Sequence, residues 1–563
     1  MPPAPLVVGV TAHRNIPTGE TAGLEQRLRE LFAVLRTEFP DVPLLALSSL
    51  AEGGERLFAR EAVHAGLPLI VALPFGQRLY GEDFSSESSR REFQSLCAHG
   101  HVLELPLRPG IIEADVAGPG TARDLQYAQQ GVFISQHSQI LVAIWDGKSS
   151  DQLGGTAQVV RYHHEDEMPG YTDGILDAQQ LLTGNENDLV YHIVCSRDGP
   201  DGAPAGPLEP LQAFWLTADS AAPAAAGAPE HYRRIWRRTA EFNRDAARHA
   251  GRFGAAGLNL QASPSLDTLD RSFRAADWLA NHYQSRFTIT LRSVYTLAVL
   301  MGLAFIVYSD IVAEPVAIVA FLAFFGAGLL LVQIAGRRAW HRKYLDYRAL
   351  AEGLRVQFYW QLAAVTNPDR TGFAHDNFLQ KQDVELGWIR NVMRATSLRT
   401  QLEPGPDATR GLETASREWI GDETRGQLGY YARKAAERTL AHERTERIGR
   451  ICLWAGIGMA GLLAVVSARI GANAHSALLL LMGVLPLAAG VRSAYAKQKA
   501  DKELIKQYRF MQRIFRNARR HLDGAATAAE KREILRALGD AALDEHAEWI
   551  LMHRERPLEH GQL

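Results

Sequence analysis

The stretch LVAIWDGKSSDQLGGTAQVV, residues 141–160, decides the fold. It begins as a continuous apolar run, breaks at Trp145-Asp146-Gly147, and restarts at Gly154-Gly155-Thr156 ahead of a helical pattern. A continuous rather than alternating apolar run is typical of a strand that is covered on both faces, as in parallel sheets. The stretch therefore predicts a strand, a loop and a helix, with the helix N-terminus available to face a phosphate.

Five other apolar runs repeat this pattern within the first 200 residues. Helical periodicity separates them, as in TAGLEQRLRELFAVLRTEF (21–39) and GGERLFAREAVHAG (53–66). The runs are LVVGV (6–10), PLLALSS (43–49), PLIVALPF (68–75), HVLELP (101–106) and VYHIVCS (190–196). Alternation of buried strands with helices predicts a doubly wound, Rossmann-like α/β domain over residues 1–200.

Ligands bind to doubly wound sheets beyond the carboxyl ends of the strands. Four loops at that edge carry suitable chemistry, namely glycines that let backbone N–H groups approach an anion, an arginine for phosphate and an aromatic ring for stacking. The predicted ligand-binding residues are Gly9, Thr11, His13 and Arg14 after the first strand, Ser49, Glu52, Gly53 and Gly54 after the second, Pro74 and Phe75 after the third, and Asp146, Gly154, Gly155 and Thr156 after the fifth. Any one loop is also explained as an ordinary turn, whereas four on one edge favour a binding site.

Four apolar runs follow residue 290 and form two hairpins, with turns near residues 313–315 and 469–475. The runs cover Ser293–Val312, Val316–Gly336, Ile451–Ser467 and about Ala477–Val491. A membrane-spanning helix needs about 20 apolar residues, so the fourth run is short. Basic residues precede the first helix and follow the second helix of each hairpin, at the ends away from the turn, and such residues mark the cytoplasmic side of a membrane. The pattern predicts four transmembrane helices in the inner (cytoplasmic) membrane with both termini in the cytoplasm. The alternative is two apolar hairpins buried in the core of a soluble helical domain.

Composition narrows the possible partners. The chain has 61 Lys and Arg against 63 Asp and Glu, a formal net charge of -2, so no overall field attracts nucleic acid. Its three cysteines are far apart, which favours a reducing compartment. The sequence His163-His164-Glu165 lacks a third metal ligand at recognisable spacing, so no metal site is predicted. Neither a G-x-S-x-G nor a Walker motif is present, and no catalytic residue is predicted.

The predicted domain boundaries follow these features. Residues 1–200 form the α/β domain, and residues 201–268 form a linker or loop with a helical connector, since 197–229 is rich in Pro, Ala and Gly. Residues 269–400 and 411–530 each hold one apolar hairpin. Residues 531–563 form a helical tail.

The motifs GVTAHRN (9–15), LSSLAEGGERLFA (47–59), LIVALPF (69–75) and ILVAIWDG (140–147) with GGTAQVV (154–160) resemble the SLOG superfamily. These Rossmann-like domains are related to the cytokinin-activating LOG enzymes, to DprA and to the ligand-sensing domains of TRPM channels. The resemblance implies recognition of a nucleotide-derived signal such as an ADP-ribose derivative, with no other cofactor. The hydrolytic branch carries a PGGxGTxxE loop, whereas here the loop reads Gly154-Gly155-Thr156-Ala157-Gln158 and lacks the acid, which argues against hydrolysis.

The helices that flank the apolar hairpins carry a second resemblance. The segments YLDYRALAEGLR (344–355) and QLGYYARKA (427–435) are similar to SLATT domains, two-helix membrane modules that accompany SLOG proteins and are thought to form pores. Here the pattern occurs twice. The resemblances imply a homo-oligomeric, pore-forming effector of anti-phage defence that is switched by a nucleotide second messenger. The alternatives are a membrane-anchored LOG-like nucleotide hydrolase and a TRPM-like ligand-gated ion channel.

Overall fold

The computed structural model describes residues 3–84, 86–172, 188–254, 257–259, 263–310, 314–365, 378–379, 384–401, 405, 407–466, 471–498 and 501–554. The chain divides into two compact units. The first comprises Met1–Ala275 with Gly353–Asp407, and the second comprises Ala276–Glu352 with Ala408–Leu563. The first unit therefore extends beyond the 200 residues predicted for it and includes a segment from the middle of the chain.

An eight-stranded sheet forms the centre of the first unit. Its strands are β1 (Leu6–Ala12), β2 (Leu44–Ser48), β3 (Leu69–Leu73), β4 (His101–Glu104), β5 (Ile140–Trp145), β6 (Val190–Val194), β7 (Ala213–Leu216) and β8 (Ala221–Pro223). Their order is β4-β3-β2-β1-β5-β6-β7-β8. The first six are parallel, which confirms the predicted α/β fold, and β7 and β8 add an antiparallel edge. These last two strands lie within the segment predicted to be a linker or loop.

Helices follow most of the parallel strands, as right-handed crossover connections require. They are α1 (Thr18–Glu38), α2 (Gly54–His64), α3 (Gln77–Gly81), α4 (Glu87–His99), α5 (Thr121–His137) and α6 (Thr156–Glu165), with α7 (Glu230–His249) after the sheet. On α1, buried leucines recur at helical spacing, from Leu24 to Leu28, Leu31 and Leu35, and their burial on one face stabilises the helix against the sheet.

The long helix α8 (Pro264–Asp310) leaves the first unit after Ala275, and α9 (Pro315–Arg337) and α10 (Trp340–Leu362) follow it. The chain re-enters the first unit at Gly353, inside α10, and then forms α11 (Gly387–Thr400). Residues up to 400 were predicted to belong with the first apolar hairpin, and the structure instead groups 353–407 with the α/β fold.

Helix α11 is buried on nearly all sides although it carries arginines. Ala395 and Leu398 join the hydrophobic core that contains residues of β1, β2 and β5. The guanidinium Nη1 of Arg390 donates a hydrogen bond of 2.6 Å to the carbonyl of Phe378, which satisfies part of a side chain that is 2% exposed. Burial, together with the neighbouring charge of Arg394, lowers the pKa of Arg390 to about 9.

The second unit is helical in its described residues. It adds α12 (Ala408–Thr414), a π-helical turn at Ala415–Ile420, α13 (Gly426–Val466), α14 (Ala472–Gln498), α15 (Asp501–Gly524) and α16 (Ala528–Arg554). The order long helix, apolar helix and charged helix occurs twice, first as α8–α9–α10 and then as α13–α14–α15. Of the two predicted hairpin turns, residue 313 of the first and residues 469–470 of the second lie outside the described residues.

Within the described residues, four helical stretches, which begin at Pro264, Pro315, Gly426 and His475, are long and apolar enough to cross a membrane. Only 17%, 11%, 6% and 0% of the residues in their most apolar windows are buried inside the protein. Exposed side chains in them include Phe305, Leu322, Trp454, Ile457 and Val465. A soluble domain would bury such helices, so their exposure favours a lipid environment over the soluble alternative. The apolar run predicted to be short lies within a helix of 27 residues, α14, which is long enough to span.

Glycines mark where these apolar helices touch. A Cβ on Gly302 of α8 would lie 2.5 Å from Leu487 of α14, and one on Gly483 of α14 would lie 3.0 Å from Ile306 of α8. Within the second hairpin, a Cβ on Gly456 would lie 3.0 Å from the ring of Pro486. Close approach of backbones at small residues is the usual basis of helix packing in membranes.

Candidate functional site

The strand order of the sheet reverses between β1 and β5, because β2, β3 and β4 continue on one side of β1 and β5 and β6 on the other. Such a switch point opens a crevice beyond the carboxyl ends of the two strands. His13 follows β1 and Asp146 follows β5, and the structure brings these two predicted residues together. The Nε2 atom of His13 lies 3.1 Å from Oδ1 of Asp146.

The carboxylate of this pair is the more deeply buried partner. The side chain of Asp146 is 1% exposed and that of His13 is 13% exposed. The backbone N–H of Lys148 also donates to Oδ1 of Asp146, at 3.1 Å, and Nη1 of Arg197 lies 4.0 Å from Oδ2. Burial lowers the pKa of His13, and Asp146 opposes that effect. The imidazole is therefore mainly neutral near pH 7.

Arg14 is exposed beside this pair. Its guanidinium carbon lies 5.7 Å from the centre of the Tyr127 ring, a cation–π distance. Near Asp146, the side chain of Arg197 is 50% exposed. Arg197 was not among the predicted site residues, although its position directly after the sixth strand was a usable signal. Two accessible arginines thus follow strands that end at this edge of the sheet, Arg14 after β1 and Arg197 after β6, and a guanidinium is well suited to bind phosphate oxygens.

The loop before α2 is held against the loop after β1. The N–H of Gly54 donates a 3.0 Å hydrogen bond to the carbonyl of His13. Gly53 has a φ of +81°, and a Cβ there would lie 2.1 Å from the carbonyl oxygen of Arg14. Only glycine fits this position, because the conformation and the space both exclude a side chain. Gly53 and Gly54 therefore fix the backbone that presents His13 and Arg14.

A buried carboxyl group that the sequence did not single out lies behind this loop. Glu55 is 7% exposed and accepts hydrogen bonds from the hydroxyl and N–H of Ser49 and, at 3.3 Å, from the N–H of Ala51. Burial raises the pKa of Glu55, against the effect of these donors. The predicted residue Ser49 therefore donates its hydrogen bonds to Glu55 inside the protein. From the sequence alone, an acidic residue in the first turn of a helix is explained as a surface charge that favours the helix dipole, so the pattern gives no sign that Glu55 is buried.

Pro74 and Phe75 lie at the end of β3 in a buried aromatic cluster. Phe75 is 2% exposed, its ring is 5.8 Å from that of Tyr127, and the guanidinium carbon of Arg123 lies 4.6 Å from its centre. The carbonyl of Pro74 accepts a 2.8 Å hydrogen bond from Gln126. Phe75 supports the wall of the site from within and does not present a free face for stacking.

The loop before α6 is also occupied by internal contacts. The N–H of Gly154 donates to Oε1 of Gln158 at 3.3 Å, and that of Gly155 donates to the carbonyl of Gln152 at 2.9 Å. Gly154 has a φ of +72°, and a Cβ there would lie 2.8 Å from the backbone of Ala128. Thr156 begins α6 and is buried. The amides of both glycines are therefore engaged, which leaves side chains as the main contacts for an anion.

The remaining predicted residues lie further from the pair. Gly9 is inside β1, where a Cβ would lie 1.9 Å from Oγ of Ser138, so this glycine permits packing of the end of α5. Thr11 is buried in β1. The carboxylate of Glu52 accepts a hydrogen bond from the hydroxyl of Ser89. In the part of the chain that the structure describes, no group of three or more His, Cys, Asp or Glu is placed to hold a metal ion.

No protein-family model matches this chain, and a search of curated proteins finds no significant match.

Proposed function

We propose that this protein is a nucleotide-responsive membrane effector, in which a phosphate-bearing ligand at the switch point of the α/β unit opens or assembles a pore of membrane helices. The observation that carries the proposal is the joint occurrence, in one chain, of two accessible arginines at a sheet switch point and four apolar helices whose surfaces are exposed. A nucleotide-derived messenger, such as an ADP-ribose derivative, has the negative charge that these arginines would bind.

The charge of the site supports an anionic ligand. Arg197 lies 4.0 Å from the buried carboxylate of Asp146, Arg14 is the residue after His13, and the imidazole of His13 adds no negative charge. Charge-assisted hydrogen bonds contribute about 1.5–3 kcal/mol each. Two arginines on one phosphate would thus supply about 3–6 kcal/mol, which is the size of bias, about 5.5 kcal/mol, that moves a two-state equilibrium from 1:99 to 99:1. Only contacts that differ between the resting and the active state contribute to that bias.

The membrane helices support assembly between copies of the chain. Glycines at some positions fit neighbouring helices of the same chain, whereas a Cβ on Gly326, Gly328, Gly458 or Gly461 would meet nothing within 4 Å. Of these, Gly326, Gly458 and Gly461 are exposed, and small exposed residues in apolar helices allow close packing with another helix. We therefore take the active form to be a homo-oligomer in the inner membrane with both termini in the cytoplasm. The resemblance to SLOG and SLATT proteins makes anti-phage defence the proposed setting.

A dye-release experiment tests this function. The full-length protein is reconstituted into liposomes that contain a self-quenching dye, and ADP-ribose, ADP or AMP is then added. Ligand-dependent release that is lost in the variant Arg14→Ala supports the proposal. The matched control Arg161→Ala changes an exposed arginine on α6 that pairs with Glu165 and Glu167, away from the switch point. Release that is equally fast with and without ligand would contradict it.

The pair of His13 and Asp146 favours a second function, hydrolysis of the nucleotide. An imidazole oriented by a buried carboxylate is a common general base. Chromatography of the ligand after incubation with the full-length protein separates the two functions. A sensor returns the ligand intact, whereas an enzyme releases products at a rate that His13→Ala abolishes.

A further inference from the structure

The two nitrogen atoms of His13 have different surroundings. The Nε2 atom is buried and faces the carboxylate of Asp146 at 3.1 Å. The Nδ1 atom makes no hydrogen bond to any described residue and is not enclosed by the protein. Because a lone pair on Nε2 would face a negative charge, the neutral ring carries its proton on Nε2. Nδ1 is then a hydrogen-bond acceptor that is open to the crevice.

We propose that Nδ1 of His13 accepts a hydrogen bond from a sugar hydroxyl of the ligand, so that the site selects ribonucleotides whose hydroxyl lies next to the phosphate bound by Arg14 and Arg197. This inference rests on the proposed function and adds the chemical class of the ligand to it. A neutral acceptor pairs with a hydroxyl donor and repels phosphate oxygens, which carry no proton at neutral pH. Arg14 and Arg197 are donors only and take the phosphate.

The charged and titratable groups that face His13 support the neutral ring. Asp146 approaches from the end of β5, Arg197 from the loop after β6, and His192 from β6 itself. The ring of His192 is fixed because its Nε2 hydrogen-bonds to the carbonyl of Trp145 at 3.0 Å. Asp146 favours the imidazolium form of His13, whereas burial and the charge of Arg197 oppose it.

The experiment measures binding of ADP-ribose to the full-length protein in detergent by calorimetry. Analogues that lack one ribose hydroxyl at a time, or carry it as an O-methyl group, are compared with the parent. One position should lose affinity by about 10–100-fold when the hydroxyl is removed, and by as much when it is methylated, because both changes remove the donated proton. In His13→Ala the parent and these analogues should bind equally. His64→Gln, an exposed histidine on α2, is the matched control.

The pH dependence gives a second readout that a purely structural role would not produce. Affinity of the wild type for ADP-ribose should fall as the pH is lowered through the pKa of His13, which burial places below the ordinary histidine value, because a protonated Nδ1 cannot accept a hydrogen bond, and the affinity of His13→Ala should not change. Affinity that rises on acidification and loses this rise in His13→Ala would overturn the inference, since it would mean that the imidazolium binds phosphate. Equal binding of every analogue to the wild type would also overturn it, while leaving the proposed function intact. No binding of ADP-ribose, ADP or AMP would instead remove the proposed function itself.

Discussion

The substitution Gly53→Ala should destabilise the region around α2 far more than the same change at Gly66, at the other end of that helix. Both glycines have positive φ angles, +81° and +67°, so a side chain at either incurs a conformational cost of about 1–2 kcal/mol, and the ψ of -127° places Gly53 outside the left-handed helical region. A Cβ on Gly66 meets nothing within 4 Å. Gly66→Ala therefore measures the conformational cost alone.

Gly53→Ala adds a steric cost. Its Cβ would lie 2.1 Å from the carbonyl oxygen of Arg14 and 2.6 Å from that of His13. These are backbone atoms, and the carbonyl of His13 is held by the N–H of Gly54 at 3.0 Å, so relief requires the two loops to separate. Overpacking of this kind costs about 1–3 kcal/mol. The expected total is about 2–5 kcal/mol for Gly53→Ala, against about 1–2 kcal/mol for Gly66→Ala.

Hydrogen exchange on the full-length protein in detergent measures this difference locally. Peptides that cover residues 44–64 report the opening free energy of β2 and α2. The two variants should differ there by about 1–3 kcal/mol. Binding of ADP-ribose should weaken only in Gly53→Ala, because that change displaces the backbone of His13 and Arg14. Equal protection in both variants would refute the argument that the two loops are locked together at Gly53.

Three further outcomes are expected. Arg14→Ala should weaken ADP-ribose binding by about 10–100-fold in a calorimetric titration, because one charge-assisted contact is lost, whereas Arg161→Ala should not change it. Burial lowers the pKa of His163 to about 3, so below about pH 6.5 the unfolded chain binds a proton that the folded chain does not. In thermal unfolding, this residue should make the protein about 2 kcal/mol less stable at pH 5 than at neutral pH. The stability of His163→Gln should depend less steeply on pH. Gly483→Leu should lower the midpoint temperature of unfolding in detergent, because the larger side chain separates α14 from α8. A side chain at Gly458 meets nothing within 4 Å, so Gly458→Leu should leave that midpoint unchanged and should reduce only the amount of oligomer measured by light scattering.

Much of the architecture follows from local patterns in the sequence. The six parallel strands lie within two residues of the predicted apolar runs, because the strands of such a sheet carry mainly apolar side chains. The antiparallel edge was not predicted, since Ala213–Leu216 and Ala221–Pro223 are short and lie in a segment rich in Pro and Ala. Nothing local distinguishes such an edge strand from a loop.

The return of α11 to the α/β unit is a long-range feature that periodicity does not reveal. Its Arg390 and Arg394 give it the composition of a surface helix, yet both arginines are buried. At the site, the sequence placed His13, Arg14 and Asp146 at one edge correctly. It could not show that Phe75 is enclosed or that the amides of Gly154 and Gly155 are engaged, because these depend on contacts with α5 and with the loop itself.

Electrical recording across a planar lipid bilayer tests the central claim most directly, with the full-length protein inserted and ADP-ribose added to one compartment at a time. The account predicts conductance that appears only when the ligand is on the side of the α/β unit, and that is absent in Arg14→Ala. Conductance that is independent of ligand, or that follows addition from either side in the Arg14→Ala variant, would contradict it.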